Sequence, residues 1–231
     1  MKLVLLPGLD GTGVLFRPLL SALPSNIEPI VVTYPTRELL GYDQLLPLIQ
    51  QLLPRNEPHL LLGESFGGPL SLRVAATRPS GLRGLILCGS FVTCPVALVP
   101  TWFAPAVRPL PFYTFPFFIK LQAALGLYET PEHHALGREA ITQVAPAVFA
   151  HRVREILRVD VTTELKGCNV PILYMQGVRD RVVGAASLDK IRKLRPDVRS
   201  VQIDSGHMIL KTRPAESSQV IAQFAAERTE N

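Results

Sequence analysis

Gly63-Glu64-Ser65-Phe66-Gly67-Gly68 stands between a predicted strand, residues 59–62, and a predicted helix that runs from Phe66 to Thr77. A serine on so sharp a strand-to-helix turn is held in a strained backbone conformation, with its hydroxyl exposed above the sheet. Glycines two positions to either side of the serine remove the Cβ atoms that would collide across the turn. The helix N-terminus presents backbone N–H groups to a negative charge that develops nearby. We therefore predict that Ser65 is a nucleophile; the alternative is a purely structural turn.

Short apolar runs alternate with helix-length amphipathic segments on both sides of this turn. The predicted strands are residues 2–6, 28–33, 59–62, 82–88, 170–175 and 198–203, and the predicted helices are residues 14–23, 42–53, 66–77, 185–194 and 212–226. Apolar strands that alternate with helices are typical of a parallel sheet covered on both faces. The pattern predicts an α/β fold with a mostly parallel six-stranded sheet.

A serine hydroxyl is a poor nucleophile unless a base accepts its proton, and five histidines are candidates for that base. His207 follows the last predicted strand, so a loop would deliver its ring to the carboxyl ends of the strands. We predict His207 as the base, with a surface loop histidine as the alternative. Structural or surface roles are predicted for the other four, which are His59, His133, His134 and His151.

The acid that orients such a base should also lie at the carboxyl end of a strand. Asp180 follows the predicted strand 170–175, so its side chain is expected at the sheet edge where open α/β sheets bind ligands. Arg179 and Arg181 flank it, and the alternative is therefore a surface ion pair. Asp204 lies too close to His207 in the chain to be the first choice.

A second glycine-rich stretch, Gly8-Leu9-Asp10-Gly11-Thr12-Gly13, follows the first predicted strand. Its spacing differs from the dinucleotide pattern G-x-G-x-x-G, and the chain contains no Gly-Lys-Ser/Thr of a P-loop. We therefore predict no nucleotide cofactor here. If Ser65 is a nucleophile, the N–H groups of Leu9 and Phe66 are the expected donors to the oxyanion.

The composition excludes several classes of protein. Hydrophobic residues make up 47% of the 231 residues and charged residues 19%, which supports a packed core rather than a disordered chain. The net charge of +5 comes without a basic cluster or a recognisable nucleic-acid module, so no nucleic-acid partner is predicted. Three cysteines without C-x-x-C spacing, and an apolar run at residues 3–6 too short for a signal peptide, favour a cytoplasmic location.

Residues 95–167 interrupt the α/β pattern and divide the predicted core into residues 1–94 and 168–231. Six prolines between residues 91 and 119 argue against a membrane span, although the stretch is very apolar. So long a connection is usually functional, and we predict an inserted cap or lid over the site. Its expected substrate-binding aromatic residues are Trp102, Phe103, Phe112 and Phe117. The alternative is a small satellite core.

The chain resembles the α/β-hydrolase superfamily in the loop 7–11, the turn 63–68, the Asp180 loop and Gly206-His207. The resemblance covers about residues 1–94 and 168–231, and the insertion lies where the family carries its variable cap. It implies a Ser65-His207-Asp180 triad that acts through an acyl-enzyme without metal or cofactor. Pro-Gly replaces the His-Gly found in many members, and the usual N-terminal β-hairpin is expected to be missing. Serine at position 65 argues against the dehalogenase and epoxide-hydrolase branches, which have aspartate there.

From these features we predict a hydrolase that acts on a small-molecule carboxylic ester with a lipophilic acyl group. The first alternative is a thioesterase that releases acyl groups from a carrier protein or coenzyme A. The second, from a different class, is a non-catalytic ligand receptor on the same fold. The sequence predicts no oligomeric state.

Overall fold

The computed structural model describes residues 1–95, 107 and 130–228. In these residues one sheet contains six strands, which are β1 (Lys2–Leu6), β2 (Glu28–Val31), β3 (His59–Glu64), β4 (Leu82–Cys88), β5 (Ile172–Gly177) and β6 (Arg199–Ile203). Their order across the sheet is β2-β1-β3-β4-β5-β6, and every neighbouring pair is parallel. The predicted α/β fold with a six-stranded sheet is confirmed.

Helices cover both faces of this sheet. A 3₁₀ turn at Val14–Phe16 leads into α1 (Arg17–Ala22), and the other helices are α2 (Tyr42–Leu52), α3 (Gly67–Ala76), α4 (Pro131–Thr142), α5 (Pro146–Arg158), α6 (Thr162–Gly167), α7 (Ala185–Leu194), α8 (Ile209–Thr212) and α9 (Pro214–Ala226). None of the helices in the described ranges is long and apolar enough to cross a membrane.

The central strand β3 shows why the strands are apolar without interruption. Successive side chains of a strand point to opposite faces of the sheet. Leu61 packs into the core formed with α2, α3 and α7, whereas Leu60 and Leu62 pack into the core formed with α1 and α9. Because helices cover both faces, all six residues of β3 are buried.

Several predicted boundaries were wrong, and prolines account for two of them. β5 begins at Ile172 rather than at residue 170, because Pro171 has no N–H to donate to the sheet. The predicted helix 212–226 is two helices, α8 and α9, and Pro214 takes the first position of α9, where no N–H is needed. The predicted helix 14–23 begins as a 3₁₀ turn after Gly13, which has a positive φ of 73°.

Within residues 95–167, for which we predict an insertion, the described part forms α4, α5 and α6. Helix α4 packs against the 3₁₀ turn, and Glu139 accepts two hydrogen bonds from Arg17, of 2.7 and 2.6 Å. The N–H of Ala145, between α4 and α5, donates to the Thr36 carbonyl at 2.9 Å. The segment is thus attached to the core close to the carboxyl ends of β1 and β2. The four predicted substrate-binding aromatic residues, Trp102, Phe103, Phe112 and Phe117, lie outside the described residues.

Candidate active site

Ser65 occupies the turn between β3 and α3 with a strained backbone. Its φ is +50°, a left-handed value that is uncommon for a residue other than glycine. The Ser65 N–H donates to the Cys88 carbonyl at 3.0 Å, and the Ser65 carbonyl accepts from the Ser90 hydroxyl at 2.9 Å. Bonds from β4 and the loop after it therefore hold the strained residue in place.

The glycines on either side of Ser65 are required by close backbone contacts. A Cβ added to Gly63 would lie 2.5 Å from the Gly67 carbonyl oxygen. One added to Gly67 would lie 2.4 Å from the Leu6 carbonyl oxygen at the end of β1. Both distances are far below van der Waals contact, so the turn accepts only glycine at these two positions.

Ser65, His207 and Asp180 lie together at the carboxyl ends of β3, β6 and β5. The Ser65 hydroxyl oxygen is 3.0 Å from Nε2 of His207, and Nδ1 of His207 is 2.8 Å from Oδ2 of Asp180. In the His207 tautomer with its proton on Nδ1, that nitrogen donates to the Asp180 carboxylate and Nε2 accepts from the serine hydroxyl. The side chains of His207 and Asp180 are 4% and 1% exposed, so water hardly reaches this hydrogen bond.

The second carboxylate oxygen of Asp180 is also bonded. Its Oδ1 accepts the N–H groups of Val182 and Val183, each at 2.8 Å, which fixes the carboxylate plane toward His207. The neighbouring Arg179 instead pairs with exposed Asp204, with 2.9 Å between Nε and Oδ1. Of the two arginines that flank Asp180, Arg179 thus pairs with a different aspartate.

The loop after β1 faces Ser65. Gly8 to Gly11 form a tight turn in which the Gly11 N–H donates to the Gly8 carbonyl at 3.1 Å. A Cβ built on Gly8 would lie only 3.7 Å from the Ser65 Cβ. Across the described part of the chain, neither the Leu9 N–H nor the Phe66 N–H donates a backbone hydrogen bond. Neither group is therefore committed to a backbone acceptor within the described residues.

A cavity of about 290 Å³ opens in front of the serine. Ser65 and His207 line it together with Gly8, Leu9 and Asp10. Its other walls are almost entirely apolar, and those from α4 and α5 are Ile141, Phe149, Val153, Ile156 and Leu157. These wall residues are not among the predicted substrate-binding residues, although their spacing in the sequence is that of one helix face.

The profile of the alpha/beta hydrolase family matches residues 3–220 of this chain. The chain belongs to this family. The resemblance inferred from the sequence is thereby confirmed.

Proteins similar to this alpha/beta hydrolase include a pimeloyl-[acyl-carrier protein] methyl ester esterase from Xanthomonas oryzae, 26% identical over 97% of this chain and 94% of the relative. A polyketide synthase from Burkholderia thailandensis, ThaQ, is also 26% identical over 91% of this chain, but the chain spans only 11% of its length. Among solved structures, an esterase from Exiguobacterium antarcticum superimposes with a TM-score of 0.80 at 19% identity, covering 97% of this chain and 91% of that one. The structural likeness shows a shared fold.

Glu64 adds a further titratable group, beside His207 and Asp10, to the cavity of this alpha/beta hydrolase. It is 3% exposed, precedes Ser65 and contributes to the cavity wall. Burial is the main cause that raises the pKa of Glu64 from 4.5 to about 7, and the nearby Asp10 raises it further. The carboxyl is therefore neutral over much of the acidic range.

We expect Glu64→Gln to stabilise the protein at pH 8 but not at pH 4. The folded state retains a proton that the unfolded chain releases between pH 4.5 and about 7, so stability falls as the pH rises through that window. At pH 8 the substitution should raise the free energy of unfolding by about 3 kcal/mol. Urea unfolding at the two pH values measures this, with exposed Glu38→Gln as the control. An equal effect at both pH values would contradict the prediction.

None of the four remaining histidines lines the cavity in front of Ser65. His59 is fully buried at the start of β3, and its Nδ1 is 2.9 Å from the Glu57 carbonyl oxygen. Burial lowers the pKa of His59. His133 and His134 lie on α4 and His151 on α5. In the described ranges no three His, Cys, Asp or Glu side chains are grouped as metal ligands.

Proposed function

We propose that this chain is a serine hydrolase that cleaves a carboxylic ester with a lipophilic acyl group. The observation that carries the proposal is the continuous hydrogen-bonded line from Ser65 through His207 to Asp180, with distances of 3.0 and 2.8 Å, at an apolar cavity. In this proposal Ser65 is the nucleophile, His207 the general base and Asp180 the residue that orients the imidazole.

The reaction proceeds through an acyl-enzyme. The Ser65 oxygen attacks the ester carbonyl while its proton moves to Nε2 of His207, and the negative oxygen of the tetrahedral intermediate accepts hydrogen bonds from Leu9 and Phe66 N–H. The intermediate collapses, the carbon–oxygen bond to the alcohol breaks, and His207 gives that alcohol its proton. A water molecule, deprotonated by His207, then attacks the acyl-enzyme and releases the carboxylic acid. Ser65 recovers its proton from His207.

The apolar cavity favours a substrate with a lipophilic acyl group. The helices α4 and α5 favour the proposal that residues 95–167 form a cap. Ile141, Phe149, Val153 and Ile156 come from these two helices and give the cavity an apolar wall. Against such a wall, each acyl methylene that is removed from water makes the binding free energy more favourable by about 0.8 kcal/mol. Part of the apolar wall thus comes from residues 131–158, and core residues such as Leu15, Phe91 and Val182 supply other parts.

The named relatives support ester hydrolysis and favour one second candidate. The Xanthomonas oryzae relative is named for a methyl ester whose acyl group is bound to an acyl-carrier protein, and it matches along almost its whole length. The second candidate is therefore cleavage of an ester or thioester whose acyl group is held on a carrier protein or coenzyme A. A non-catalytic receptor would bind such ligands without turnover.

A panel of p-nitrophenyl esters from acetyl to dodecanoyl, measured beside the matching acyl-coenzyme A thioesters, tests the proposal. We expect kcat/KM for the esters to rise roughly tenfold for every two carbons until the cavity is full. A flat profile would contradict the lipophilic pocket. Faster turnover of the thioesters would favour the second candidate, and tight binding without turnover would favour the receptor.

Val153→Phe should shorten the pocket by filling part of it from α5. The expected result is a loss of long-chain activity with acetyl ester activity retained, because only long chains reach the blocked volume. Ala147→Phe places the same aromatic side chain at an exposed position of α5 and serves as the matched control. Loss of acetyl and long-chain activity by the same factor in Val153→Phe would contradict the assignment of this wall.

A further inference from the structure

Arg152 on α5 is a fully buried arginine, with 0% of its surface exposed. Its Nη1 donates to the carbonyl oxygens of Leu9 at 3.0 Å and Asp10 at 2.7 Å, and its Nη2 donates to the Pro35 carbonyl at 2.9 Å. The guanidinium also lies 5.4 Å from the ring centre of Tyr34. Among the residues that the structure describes, no carboxylate forms a salt bridge with it.

These bonds determine the orientation of the turn at residues 8–11. The Gly8 carbonyl is held inside the turn by the Gly11 N–H at 3.1 Å. A trans peptide directs its N–H opposite to its C=O, so the Leu9 N–H points out of the turn. The next two peptide planes are fixed through their carbonyls, Leu9 and Asp10, and both accept from Arg152. Every peptide plane of the turn is thus held by a partner.

Packing alone does not account for an arginine at this position. Removing a guanidinium from water without a counter-ion is costly, and an apolar side chain of similar volume often stabilises such a site. Burial lowers the pKa of Arg152, which is the sign of that cost. What an apolar side chain cannot do is donate to three loop carbonyls at once, as the planar guanidinium does.

We propose that Arg152 is a positioning residue for the oxyanion site: from α5 it holds the Gly8–Gly11 turn so that the Leu9 N–H faces the oxygen of the tetrahedral intermediate. This inference rests on the proposed function, because it assigns Arg152 a role in that reaction. Phe149, Val153 and Ile156 of the same helix line the cavity. One helix therefore shapes the acyl pocket and orders the oxyanion loop.

Arg152→Met tests the proposal, because methionine retains apolar volume but removes all three hydrogen bonds. We expect kcat to fall about 10²-fold, the size of effect that a misplaced reacting group produces, while KM stays within about threefold. Arg152→Lys keeps the positive charge but lacks the planar guanidinium with its several N–H donors. Its kcat should therefore lie between those of Arg152→Met and the wild type. Arg158→Met removes an exposed arginine from the same helix and should leave kcat unchanged.

Two further measurements separate positioning from a general disturbance of the fold. Acetyl and octanoyl esters should lose kcat/KM by the same factor, because both form the same oxyanion, whereas a displaced α5 would alter the dependence on chain length. The affinity for an aryl trifluoromethyl ketone, which binds as a tetrahedral oxyanion, should fall in parallel with kcat. The affinity for the corresponding methyl ketone should not change.

The outcomes distinguish this inference from the proposed function. Ser65→Ala is measured first, and a wild-type protein without Ser65-dependent turnover would overturn the proposed function. If turnover depends on Ser65 but Arg152→Met keeps kcat within threefold, or changes only KM or the chain-length profile, the positioning role is wrong. If Arg152→Met does not fold, Arg152→Lys is measured in the same way. If neither variant folds, Arg152 is a stability residue and the inference is overturned.

Discussion

Ser65→Ala is expected to lower kcat for ester hydrolysis by about 10⁶-fold while the protein stays folded. The hydroxyl oxygen 3.0 Å from Nε2 of His207 is the atom that attacks the substrate in our proposal, and alanine has no replacement for it. The fold should persist because the bonds that hold residue 65 use its backbone, with Cys88 as acceptor and Ser90 as donor. Hydrolysis of p-nitrophenyl esters and far-UV circular dichroism measure the two effects.

Covalent labelling locates the nucleophile independently of the rate. A fluorophosphonate should modify Ser65 in the wild-type protein, as peptide mass spectrometry would show, and should leave Ser65→Ala unlabelled. Ser21→Ala removes an exposed serine and is the matched control, with full activity and full labelling expected. Modification of a different serine would refute the assignment.

Asp180→Asn is expected to lower kcat by about 10⁴-fold. The asparagine oxygen can keep the hydrogen bonds from the Val182 and Val183 N–H groups, so its NH₂ group would then face His207. An NH₂ donor makes Nδ1 an acceptor and moves the ring proton to Nε2, which can no longer accept the proton of Ser65. The same contacts preserve the loop, so the loss should occur without unfolding. Steady-state kinetics and thermal unfolding of the variant check both expectations.

Asp204→Asn is the matched control for this prediction. Asp204 is exposed and pairs with Arg179, so its loss should leave kcat within about twofold of the wild type. Nearly full activity of Asp180→Asn together with a large loss in Asp204→Asn would make Asp204 the orienting acid. The pair of variants thus decides between the two aspartates that the sequence offered.

The local part of the site could be predicted from the sequence because short-range sterics control it. Gly63 is required by the Gly67 carbonyl within the strand-to-helix turn, and such a turn leaves a recognisable glycine spacing. Gly67 is required instead by the Leu6 carbonyl at the end of the neighbouring strand β1. The leucines of β3 indicated a strand covered on both faces, since each of its two alternating sets of side chains meets a core. The boundaries were less predictable, because hydrophobic patterns do not report where hydrogen bonding starts.

By itself, then, the sequence determined the order of strands and helices, the glycine-bounded serine turn and the candidates for base and acid. Only the tertiary structure decided that Asp180 bonds to His207 while Asp204 pairs with Arg179. It also decided that α5 lines the cavity and contacts the Leu9 carbonyl through Arg152. The Arg152–Leu9 contact joins residues 143 positions apart. A periodic pattern tells which face of a helix is buried, but the partner of that face depends on how distant segments pack.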